Sequence, residues 1–142
     1  LSERSDPEFD RDRLQLVFNE TASDLRSIGV DCAAVVNLDG ELPSAVVSML
    51  YDCLYDVASV ALFAVDPILM LFVSGDERHV EMRAALDVAQ MDAARLEAAA
   101  ASLREDLKGS RGTLSLELSP TSLNAAIRMP VGDAARGGGG DK

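Results

Sequence analysis

In the stretch DCLYDVASVA, Asp52 and Asp56 stand four residues apart and Ser59 follows three later, a spacing that strings three oxygen-bearing side chains along one side of a helix. Carboxylates so placed suit a hard divalent cation such as Mg²⁺, and a hydroxyl one turn on suits a phosphate. The plainer reading is a solvated helix face, because charged pairs at this spacing commonly serve only that purpose. Asp87 closes an alternating apolar segment, where the ordinary roles are turn residue or helix N-cap. Gly109 and Gly112 fit a helix C-cap and a turn. His79 is the only histidine and starts a strand segment, so neither a zinc site nor a Ser-His-Asp or Cys-His constellation can be assembled around it. Tyr51 and Tyr55 form an (i, i+4) pair suited to packing.

The chain that must position these groups has 142 residues, 48% hydrophobic and 26% charged, enough for one globular domain with its own core. Thirteen basic against 24 acidic side chains give a net charge of −11, which disfavours nucleic acid and anionic membrane surfaces as partners. The apolar run VASVALFAVDPILMLFV is broken by Asp66 and Pro67 and falls short of a bilayer span. LSERSDPEFD is too charged for a signal peptide, and a start at Leu1 reads as a piece cut from a longer polypeptide. Cys32 and Cys53 lie among apolar residues, which predicts buried free thiols in a reducing cytoplasm.

Asp6-Pro7 reads as a helix start, followed by Leu14, Val17, Phe18, Thr21, Leu25 and Ile28 at helical spacing and a stop at Gly29. A strand is expected over about 30–37, and a broad-faced central helix over 43–64. ILMLFV reads as a strand buried on both faces, and HVEMRAALD as its half-buried hairpin partner. MDAARLEAAAASLREDLKG is a helix with a stripe of Leu96, Ala99, Ala100, Leu103 and Leu107, and TLSLELS and LNAAIRM form a second antiparallel pair. This order implies an α+β two-layer sandwich: a mixed, largely antiparallel sheet covered on one face by helices. The expected division is an N-terminal helix over 1–29, either a linker from a region upstream or a helix of the same domain, a folded unit over 30–131, and a flexible glycine-rich tail over 132–142.

The element order and three partial motifs resemble the catalytic, ATP-binding domain of sensor histidine kinases in the GHKL superfamily. DCLYDVASVA is similar to that family's N box, with Asp52 at the acidic, catalytic position and Asp56 where the family has its magnesium-binding Asn. Val57 stands for Ala, Ser59 for a basic residue, and Ala61 for the closing Ala. LKGSRGTLSLELSPTSLNAAIRMP is similar to the last glycine box and final hairpin, with Gly109 and Gly112 as glycines and Met129-Pro130 as the end. DVAQM matches the first glycine box at its adenine-reading Asp, here Asp87, while Ala89 and Met91 replace both glycines. Only VAQM separates Asp87 from Asp92, so the family's long glycine-rich lid is missing.

The resemblance implies a cytoplasmic part of a two-component sensor, with Asp56 as metal ligand and Asp56, Ser59, Asp87, Gly109 and Gly112 as nucleotide-binding positions. Mg-ATP is the implied cofactor where the site still functions. The departures predict that nucleotide binding is weak or absent and that the domain is an interaction or regulatory module. Its implied partners are an upstream helical dimerisation region of the same protein and a response regulator, with a homodimer in prospect. An active kinase phosphorylating a histidine upstream, and an unrelated α+β interaction module, are the alternatives.

Overall fold

A computed structural model describes residues 8–9, 11–76 and 78–131; Asp6-Pro7 and the glycine-rich tail lie outside them, and the helix expected to run on from Pro7 starts at Arg11, since Glu8–Phe9 is a strand paired with Leu42–Pro43. In chain order the elements are β1 (Glu8–Phe9), α1 (Arg11–Ser27), β2 (Asp31–Leu38), β3 (Leu42–Pro43), α2 (Ser44–Ala61), β4 (Ile68–Gly75), β5 (His79–Asp87), α3 (Ala93–Leu107), β6 (Thr113–Ser119) and β7 (Ser122–Pro130). Five strands form one mixed sheet in the order β2-β4-β5-β7-β6. The β2–β4 pair is parallel and the other three pairs are antiparallel. The helices lie on one side of this sheet, giving the two-layer α+β sandwich that the element order implies. Two-residue strands β1 and β3 pair separately and carry no periodicity from which a sequence could reveal them.

Alternation sets the core. Val80, Met82, Ala84 and Leu86 of β5, with Leu123, Ala125, Ile127 and Met129 of β7, turn toward the helices and are buried. Leu69, Leu71 and Val73 of β4 do the same. Leu14, Phe18, Ala22 and Leu25 of α1 belong to the same apolar cluster, and the Phe18 and Tyr51 rings meet at 5.5 Å. α2 has the length and composition of a bilayer span, 18 residues at mean hydropathy 1.2, but half of it is buried inside this domain. The α3 stripe read from sequence is the set that is buried.

β4 departs from expectation. Ile68, Met70 and Phe72 are 44%, 49% and 43% exposed, because among the described residues nothing covers the sheet's second face. An apolar run without alternation reads as buried on both sides, whereas here its odd members are left in water.

The β2 edge is guarded by α1. Gln15 Nε2 donates to the Ala34 carbonyl at 3.2 Å and its Oε1 accepts from the Val36 amide at 2.8 Å, while the Arg26 guanidinium donates to the Cys32 carbonyl at 2.7 Å. These bonds occupy backbone groups that a foreign strand would otherwise pair with. Gln15→Ala is expected to lower stability by about 1 kcal/mol in a denaturant melt and to raise the aggregation rate, by unmasking that edge.

Candidate functional site

α2 starts after Pro43, which is extended at φ −63°, ψ 151° and offers no side-chain cap. Its stability therefore rests on tertiary burial of Val46, Val47, Leu50, Cys53, Leu54, Val57, Val60 and Ala61. Asp52 stays in water at the edge of this face, whereas Asp56 and Ser59 are half-buried. The reason is α3, which packs directly on α2. α3 is started by Asp92, whose carboxylate accepts from the Ala94 amide at 3.0 Å.

At this seam Asp56 of α2 meets Asp106 of α3. The Oδ2 atoms of both are sealed from solvent and neither has a hydrogen-bond donor. Two ionised carboxylates can only accept, so a bond between them requires a proton on one. Burial first, then the hydrogen bond to and charge of Asp106, then the charge of Asp52, push the Asp56 carboxyl up to about 7. The same acidic surroundings act on the buried Cys53. Its thiol is pushed up to about 12, mainly by burial and then by Asp106, Asp56 and Asp52, which keeps it protonated and unreactive. Both cysteines are free and buried, as read from the sequence.

Beyond the carboxyl pair the seam opens into a shallow cleft of about 270 Å³, lined by Asp56, Ser59, Phe63, Arg95 and Ser102 among others. Arg95 is the cation in this lining, and its guanidinium carbon lies 3.8 Å from the centroid of the Phe63 ring. The tyrosine pair divides: Tyr51 packs on Phe18, while Tyr55 is 72% exposed at the lip of this cleft. Among the described residues no three His, Cys, Asp or Glu converge to hold a metal ion.

The remaining motif positions lie elsewhere. Asp87 is exposed and, by the alternation of β5, shares the outer sheet face with Glu81 and Arg83, on the side away from α2 and α3. The segment after it is fastened down: the Val65 amide donates to the Gln90 carbonyl at 2.9 Å, and the Ala89 amide to the Val65 carbonyl at 2.8 Å. Backbone that a glycine box would offer to a ligand is thus spent on an antiparallel bridge to the exit of α2. Gly109, at φ +82°, ends α3 in the left-handed region. At Gly112 a Cβ would lie 3.0 Å from Leu107 Cδ2 and 3.2 Å from Met129 Cγ, so close packing accounts for this glycine. Neither glycine lines the cleft. The structure therefore brings together Asp56 and Ser59, with Asp52 nearby, and sets Asp87, Gly109 and Gly112 apart from them.

Asp106 was missed by motif reading, although its position three residues after Leu103 and seven after Ala99 continues the buried stripe of α3.

No protein-family model matches the sequence, and no curated protein sequence matches it. Solved structures do. The histidine kinase domain of the blue-light activated histidine kinase from Erythrobacter litoralis EL346 superposes with a TM-score of 0.66 at 14% identity, covering 95% of this chain and 68% of that one. The catalytic domain of histidine kinase ThkA gives 0.59 at 12% identity, covering 90% and 97%. The mycobacterial sensor histidine kinase MprB gives 0.57 at 12%, covering 89% and 97%. A mixed five-stranded sheet, a central α2 and an α3 seated beside it are thus the fold seen in these histidine kinase domains.

Proposed function

We propose that this domain is the ATP-binding-type domain of a two-component sensor protein in which nucleotide binding is weak or absent, and that it works as an interaction or regulatory module. The observation that carries this reading is the Asp56–Asp106 pair. The resemblance sets Asp56 at a magnesium-binding position, and here its carboxyl is sealed in beside that of Asp106.

The residues do not fit a magnesium-bound triphosphate. Such a ligand brings several negative charges and needs cations and free amides to receive them. The cleft offers Arg95 held against Phe63, its carboxyl pair repels phosphate above neutral pH, and the amides of Val65 and Ala89 are already bonded. The chemistry left to the domain is surface recognition, with an upstream dimerisation region or a response regulator as the partner.

Calorimetric titration with Mg-ATP and Mg-ADP is expected to give no saturable heat up to millimolar nucleotide. Micromolar affinity, or autophosphorylation of the full-length protein that disappears in Asp56→Ala, overturns the proposal.

A further inference from the structure

Among the described residues, the sheet's outer face carries large apolar side chains that the folded domain does not bury. Strand register places Val35 beside Phe72, Ala33 beside Met70, and Asp31 beside Ile68. Val35, Ile68, Met70 and Phe72, 43–49% exposed, therefore form one contiguous ridge over β2 and β4. Contiguous apolar surface of this kind marks an interaction site, whereas scattered exposed residues do not. On the same face the other half of the sheet is low. Ala85, Ala126 and Ser115, together with Arg83, Glu117 and Asn124, line a depression of about 470 Å³ over β5, β7 and β6.

We propose that this face binds a second copy of the chain, ridge into depression. A twofold axis lying along the strands lays β2 over the partner's β6 and β4 over its β7, with β5 on β5. Rows along the sheet keep their level, so Phe72 falls over the second copy's Ala126, which shares a row with it through Arg83. Val35 falls over Ser115 of that same row. Large side chains thus meet small ones twice, which is the self-complementarity an isologous interface requires. Glu81, Arg83 and Asp87 each approach their own copy near the axis and Met70 falls over Asn124; the pairing of Arg83 with Glu81 at 3.5 Å offsets part of the like-charge repulsion, and Asp87 opposes association until salt screens it. Five strands at about 4.8 Å and eight residues at about 3.3 Å give a face of roughly 600 Å². Two such faces bury roughly 1,200 Å², the low end for a specific interface, so the dimer is weak and reversible. This inference stands whether or not the domain binds nucleotide.

Sedimentation of the whole chain from low micromolar to millimolar concentration tests it. A monomer–dimer equilibrium is expected, tightening as salt rises because a net charge of −11 opposes association. Met70→Lys on the ridge and Ala126→Arg in the depression should each weaken it by about tenfold or more, with circular dichroism unchanged. A monomer throughout the range overturns the proposal, as does a dimer that survives either substitution. Should a variant misfold, the concentration and salt dependence of the wild type decides.

Discussion

Asp56→Asn is expected to stabilise the domain by about 2 kcal/mol at pH 8 and to leave it unchanged near pH 4. Burial and Asp106 raise the Asp56 carboxyl from an ordinary 3.8 to about 7 in the folded chain, so between these values the folded state holds a proton that the unfolded state has released. Stability from this group is therefore fully present below about pH 4, falls as pH rises through 7, and is flat above. A shift of about three units corresponds to roughly 4 kcal/mol, and about half remains once solvent screening at a half-buried side chain is allowed for. An asparagine amide donates to Asp106 without needing the shared proton. Thermal melts of both proteins from pH 4 to pH 8.5 check this: the wild-type curve should fall by about 5 °C across the window while the variant's stays level. Parallel curves would mean that the two carboxyls do not share a proton.

Phe18→Ala is expected to cost about 3–5 kcal/mol, because a fully buried ring is removed from between α1 and α2 and the cavity cannot close without moving α2. The loss should appear in the single unfolding transition of the whole domain. We propose on this basis that α1 is an integral part of the folded unit. A denaturant melt in which the main transition is unaffected would instead assign α1 to a separate element.

Much of this architecture is legible from residue spacing. The stripe of α3 is readable because five apolar residues at helical spacing admit one buried face, and the two hairpins because their apolar residues alternate. The same alternation already places Asp87 with Glu81 and Arg83, opposite Val80, Met82, Ala84 and Leu86, so its separation from α2 follows from period two alone. What pattern cannot supply is the neighbour. ILMLFV has apolar residues on both faces, and only the arrangement of layers reveals that, among the described residues, one face has no cover. Asp52 and Asp56 look alike on a helical wheel, yet α3 buries one and leaves the other in water. Gln15 resembles any polar helix residue until β2 is placed beside it.

We propose that the seam between α2 and α3 is closed to nucleotide by its own carboxyl pair and by the bridge at Val65. Amide spectra of the labelled chain recorded with increasing Mg-ATP test it most directly. Unmoved resonances for Ser59, Ala89, Arg95 and Ser102 are expected up to millimolar nucleotide. Saturable shifts of those four amides, absent from the outer sheet face, would contradict it.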